Sequence, residues 1–316
     1  MSFIVRYGIR RNWEKVAASD AARIAEQTPT PGVAVARDIP YIEGGDPMHL
    51  LNVYTPEGAS GMPLPTLGPL PTIVDIHGGG WVYGDKDLNR HYDMYLAAQG
   101  YAVVAMSYRL LPRTDLRGQV WDMMASLRWL AEHGADYGCD TGRVFLTGDS
   151  AGGHLASLVT CIGQSEALRA SYGVESVPVV PRAVALSHSV TDMQAFLRAD
   201  SWVGRRVAAE MGRMMLGRRM RRSPLYDRLS FADIADGLDL PPILVISSEA
   251  DALHPQSAAL AEYLARTGRA HETKLWPRKG GECLGHVFHV LHPEWPEAIE
   301  TNQNTLAFFA RAEGAD

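Results

Sequence analysis

The chain has 316 residues and a mass of 34.6 kDa, with 46% hydrophobic and 21% charged residues, which is enough apolar material for a sizeable core and excludes a disordered chain. Thirty lysines and arginines against 36 acids leave a formal net charge of −6 and a pI near 6.0, which argues against bulk attraction to nucleic acid or an anionic membrane. No stretch reaches the roughly 18 consecutive apolar residues of a membrane span, and MSFIVRYGIRRNWEK lacks the apolar core and cleavage site of a secretory leader.

From the N-terminus, residues 1–30 carry a helical pattern in Trp13, Val16, Ala17 and Ile24. Val33–Ile39 and Leu50–Tyr54 read as edge strands, expected to be antiparallel, and the proline- and glycine-rich stretch Gly58–Pro71 reads as a loop. Six strand-length apolar runs follow: Thr72–His77, Ala102–Ser107, Val144–Gly148, Ala183–Leu186, Ile243–Ser247 and Thr273–Trp276. They are expected to be apolar on both faces, as strands covered by helices are. Helical patterns lie at Leu88–Gln99, Gln119–His133, Ala151–Gly163, Gln256–Thr267 and Pro296–Arg311. This alternation predicts an α/β fold with a mostly parallel sheet, a single domain over residues 1–316. Residues 1–30 and 192–230 fall outside the rhythm and are expected to form a helical cap. The second contains a predicted helix, MGRMMLGRRMRR.

The sharpest motif is Gly148-Asp149-Ser150-Ala151-Gly152, between a strand and a helix. A G-x-S-x-G sequence there is a nucleophile elbow: small neighbours permit a tight turn that lifts the serine hydroxyl above the sheet. The helix after it offers free N–H groups and a positive dipole end to a developing anion. His77-Gly78-Gly79-Gly80-Trp81 follows another strand. Three consecutive glycines are conformationally expensive, and a loop whose backbone must approach an oxyanion supplies the reason. His154 and Asp75 read as structural groups, and no HExxH or comparable metal spacing is present. Three scattered cysteines, Cys139, Cys161 and Cys283, suit reduced thiols in a cytoplasmic protein better than a disulfide framework or a four-cysteine zinc site.

HGGGW, SYRL (Ser107–Leu110) and GDSAGGHLA resemble the hormone-sensitive-lipase-like branch of the α/β-hydrolase superfamily, and are similar to its small bacterial acetyl and feruloyl esterases. The similarity runs from about Leu50 to the C-terminus. It implies a triad in the order serine, acid, histidine: Ser150, then Asp251 in SSEADALHPQS with Glu249 as its rival, then His286 in KGGECLGHVFHVLHP with His289 and His292 as alternatives. It further implies oxyanion donors at Gly79, Gly80 and Ala151, and no metal or organic cofactor.

The activity so implied is carboxylester hydrolysis on a short-acyl or aromatic-acyl ester. The alternatives are an arylformamidase or amidase using the same triad, or a receptor that binds a small molecule without turnover. Trp81 and Tyr83 are candidates for the substrate pocket. A homodimer is compatible with the resemblance, although no sequence feature demonstrates one. Eight arginines in residues 205–228 face only Glu210 and Asp227; they form either a solvated cap face or a lure for a negatively charged ester.

Overall fold

The computed structural model describes residues 2–57, 68–198, 202–278 and 284–314. Helix α1 (Ser2–Glu26) precedes strands β1 (Val33–Pro40) and β2 (Leu50–Pro56). Next come β3 (Leu70–Ile76), α2 (Arg90–Ala98), β4 (Ala102–Met106), α3 (Leu116–His133) and β5 (Cys139–Asp149), with α4 (Ala151–Gln164) directly after β5. Then α5 (Glu166–Tyr172) leads to β6 (Ala183–Ser187), followed by α6 (Met193–Leu197), α7 (Trp202–Leu216) and α8 (Phe231–Ile234). The chain closes with β7 (Ile243–Ser248), α9 (His254–Arg266), β8 (His271–Trp276), α10 (Phe288–Leu291) and α11 (Pro296–Glu313).

The strands form one sheet in the order β1-β2-β4-β3-β5-β6-β7-β8. Only β1 with β2 and β2 with β4 pair antiparallel; the rest is parallel, as the βα alternation predicts. Alternating side chains fill two cores. Val74, Val104, Leu146 and Val245 pack on the side of α3, α4 and α9, while Ile73, Val103, Phe145 and Leu244 pack on the side of α2 and α11. The aligned ends decide where chemistry can occur. Ile76 pairs with Gly148 and Gly148 with Leu186, so the loops after β3, β5 and β6 leave the same carboxyl edge. The chain passes from β3 to β4 on one side and reaches β5 on the other. Crevices for ligands open at such a switch point.

Three local expectations need correction. Strand β5 begins at Cys139, five residues before the apolar run, because Leu70 and Pro71 offer it a pairing edge. Strand β8 is not apolar on both faces: it is an edge strand whose Lys274 pairs with Glu300 and whose Glu272 pairs with Arg311, charges that suit an edge. The methionine- and arginine-rich run is not one helix. It ends at Leu216, where Gly217 takes φ +84°, and resumes as a 3-10 turn at Met220–Arg222. Residues 58–67 of the expected loop and Cys283 lie outside the described residues.

Candidate active site

Ser150 stands between β5 and α4 with φ 54° and ψ −116°, a conformation that costs about 1–3 kcal/mol for a non-glycine residue. Its N–H donates to the Ser187 carbonyl at 2.9 Å, which ties the turn to β6. The elbow glycines are required by space: a Cβ on Gly148 would lie 2.6 Å from the Gly152 carbonyl oxygen, and one on Gly152 would collide with the carbonyl oxygen of Ile76. Ala151 opens α4, so its N–H has no partner within the helix.

The loop after β3 comes to the same place. Gly79, Gly80 and Trp81 all have positive φ, at +97°, +57° and +64°. Asp149 Oδ1 accepts the Gly78 N–H at 3.0 Å, and Tyr108 donates its hydroxyl to the His77 carbonyl at 2.9 Å. Gln119 holds the far end by donating to the Trp81 carbonyl at 3.0 Å. Among the described residues, the N–H groups of Gly79 and Gly80 have no protein acceptor.

Beneath this loop Asn89 donates to both Asp75 and Asp149, each at 2.9 Å. Burial, and then the charge of Asp149, push the Asp75 carboxyl up to about 8, so it is neutral at pH 7. Buried Asp93, its neighbour, is also pushed well above the usual carboxylate range by burial and by Asp75.

Asp251 lies just beyond β7 and His286 just before α10. His286 Nδ1–H donates to Asp251 Oδ2 at 2.9 Å, which leaves Nε2 free to accept a proton. Burial alone would raise the Asp251 carboxyl, but the His286 hydrogen bond and charge outweigh it and hold the group below its ordinary value. The rivals lie elsewhere. Glu249 accepts the Arg278 N–H at 2.9 Å, and His292 stacks on Trp295 at 4.1 Å beside Glu294.

His289 belongs to a buried chain behind the site. The Asn302 amide donates to the His289 carbonyl at 3.1 Å, which turns its Oδ1 toward His289 Nδ1–H at 2.7 Å. The bare Nε2 then accepts a hydrogen bond from the Ser187 hydroxyl at 2.6 Å, and Ser187 accepts from His188 Nδ1–H at 3.0 Å. The His188 ring stands edge to face with His286, 5.9 Å between centroids.

Ser150, Asp251, His286 and Gly80 line one cavity of about 830 Å³, walled by helices α1 and α7. Trp81 lines it too, donating its indole N–H to His154 Nδ1 at 3.2 Å, while His154 Nε2–H donates to the Leu229 carbonyl at 2.8 Å. That packed role matches the structural reading of His154. Tyr83 is not in the wall: its ring stacks on Trp13 at 5.5 Å, one layer behind. Trp13 itself was legible only as a helical position, yet a Cβ on Gly80 would run into its indole. Phe196, Met211 and Leu253 complete the apolar wall, brought in by tertiary packing that no local motif announces.

The alpha/beta hydrolase fold family matches the chain over residues 73–289. Esterase B from Lactobacillus rhamnosis is similar at 41% identity and a TM-score of 0.91, the match covering 98% of this chain and 96% of that one. Its form inhibited by a C4-C4 SN3 tributyrin phosphonate is similar at 42% identity and a TM-score of 0.89, covering 98% and 95%. An acetyl-hydrolase of Streptomyces hygroscopicus is 29% identical over 255 residues, 77% of this chain and 76% of its own length.

Proposed function

Because the chain belongs to the alpha/beta hydrolase fold family, we propose that it is a serine carboxylester hydrolase that cleaves short-acyl or aromatic-acyl esters through an acyl-enzyme intermediate. The observation that carries this reading is one cavity lined by Ser150 and by the hydrogen-bonded pair His286 and Asp251.

His286 Nε2 takes the Ser150 proton as the hydroxyl attacks the ester carbonyl. Asp251 fixes the tautomer and stabilises the imidazolium that forms. The tetrahedral oxyanion is received by the N–H groups of Gly79, Gly80 and Ala151, each such donor contributing about 2.7–4 kcal/mol in the transition state. The imidazolium then protonates the departing alcohol. Water, deprotonated by the same histidine, attacks the acyl group; the Ser150 oxygen leaves as the imidazolium returns the proton to it, and the acid is released. The strained Ser150 backbone and the Asp149–Gly78 bond hold nucleophile and donors in place before substrate arrives.

Helix α1 and the described residues of 192–230 act as the cap that shapes the acyl pocket, since Trp13, Phe196 and Met211 come from them. A short acyl chain is favoured by the named relatives, an acetyl-hydrolase and an esterase trapped with a butyryl-length phosphonate. No described helix is long and apolar enough to cross a membrane. The cytoplasmic assignment is supported by Cys139 and Cys161, both buried and free.

The test is a panel of p-nitrophenyl esters of increasing acyl length, with a feruloyl ester and an N-formyl anilide, on wild type and Ser150→Ala. Turnover is expected to be fastest on short acyl esters and to fall by about 10⁶ in the variant. Wild-type turnover by Ser150→Ala overturns the assignment, and a preference for the anilide reassigns the bond.

A further inference from the structure

The cap carries a surface that ester hydrolysis does not explain. Among the described residues eight large hydrophobic side chains are exposed, and four of them lie on α1 and α7: Phe3 at 81%, Ile4 at 72%, Tyr7 at 48% and Val207 at 36%. Phe3 and Ile4 stand at i,i+4 and i,i+3 to Tyr7, so both neighbour it on one side of α1. The neighbouring face, with Val5, Gly8 and Ile9, lines the candidate catalytic cavity, as does Val207. The exposed apolar residues therefore sit beside the cavity wall.

Positive charge is concentrated on the same two helices and on the turn that packs back on α7. Residues 2–13 and 202–222 hold ten arginines and one acid, Glu210, in a chain whose net charge is −6. Glu210 is buried and ion-pairs with Arg6 of α1 and Arg213 of α7, so it braces the two helices. Arg10 pairs with Glu14. Among the described residues Arg11, Arg218, Arg219, Arg221 and Arg222 have no carboxylate partner. Four of these, with Arg213, surround an open cavity of about 450 Å³.

We propose that this face of α1, with the arginine-rich turn after α7, docks the protein on an anionic lipid–water interface. Apolar side chains at a helix surface insert among acyl chains, and flanking arginines hold the headgroups. The rest of the chain is acidic and is repelled by such a surface, so charge also sets the orientation, cap toward lipid. A second copy of this chain is the less favourable occupant, since twofold contact would set ten arginines against ten. The net-charge argument against membranes holds for the molecule as a whole and fails for this face. The inference rests on the ester-hydrolase reading for what the cavity draws from the interface: an ester too apolar to dissolve freely. The docking itself rests on the surface.

The experiment is co-sedimentation with vesicles of phosphatidylcholine alone and of phosphatidylcholine mixed with phosphatidylglycerol, at low and high salt. Wild type is compared with Phe3→Ser/Ile4→Ser and with a variant carrying Arg218→Ser, Arg219→Ser, Arg221→Ser and Arg222→Ser. Wild type is expected to bind the anionic vesicles only and to be released by salt, and each variant to bind about tenfold more weakly or worse. Turnover of soluble p-nitrophenyl butyrate is expected to stay at the wild-type level in both, which also reports that they fold. Wild type that ignores anionic vesicles, or variants that bind them equally, overturns the proposal. So does a dimer in light scattering that Phe3→Ser/Ile4→Ser dissociates, because it gives the face to a second copy. Failure of wild type to turn over any ester counts against the hydrolase reading alone, because vesicle binding is read without turnover.

Discussion

At Asp251 and Glu249, two carboxylates two residues apart have opposite surroundings. Asp251 Oδ2 accepts from His286, whereas Glu249 accepts a backbone N–H on the loop after β8. Asp251→Asn keeps the shape but reverses a hydrogen bond, so the imidazole is held in the wrong tautomer; kcat is expected to drop by about 10⁴. Glu249→Gln is expected to stay within about twofold of wild type, as surface substitutions do. Steady-state kinetics of the two variants on one ester separates the assignments. The serine was legible in the sequence because an elbow's demands are local: Gly148 and Gly152 are needed wherever that turn occurs. The choice among His286, His289 and His292 was not fixed by residue type. His286 is the proposed base because its imidazole faces Asp251, whereas His289 faces Asn302 and His292 stacks on Trp295.

Helix α11 closes the second core by stacking Phe309 on Phe145 of β5, 4.7 Å between ring centroids, with both rings fully buried. Phe309→Ala is expected to cost about 3–5 kcal/mol in denaturant unfolding through the cavity it leaves. A loss under 1 kcal/mol would show that the helix does not carry that core. Strands β3, β4, β6 and β7 were readable within one or two residues because their apolar runs are short and sharply bounded. Strand β8 departs from the expected apolar faces: Lys274 and Glu272 signal an edge, but an edge is defined by strand order, which one sequence does not display. The wall made by α1 was equally hidden. Trp13 against Gly80 and Arg6 against Glu210 join residues 67 and 204 positions apart, and no local pattern encodes such pairings.

The stability of the whole molecule should respond to pH through groups that the fold keeps neutral. His77, His154 and His289 are buried and lowered to about 4 from 6.5, so the unfolded chain binds protons that the fold refuses. Stability is then lost as pH falls from about 6.5 toward 4. Asp75 acts in the opposite sense: its carboxyl, raised by burial and by Asp149, keeps a proton up to about pH 8 that the unfolded chain releases near 3.8. Stability therefore declines as pH rises through that range, and the maximum is expected near pH 6.5. Asp75→Asn should flatten the decline between pH 6.5 and 8 in a urea-midpoint series, and an unchanged slope would contradict it. The proposed function depends on the same carboxyl edge of the sheet, where Ser150 after β5, Asp251 after β7 and His286 before α10 line one cavity. The most direct measurement is intact-mass analysis with peptide mapping after treatment with a butyryl-length phosphonate ester. A single adduct on Ser150, absent from Ser150→Ala and strongly slowed in His286→Ala, is the predicted result. An adduct on another residue, or equal labelling of Ser150→Ala, would contradict the account.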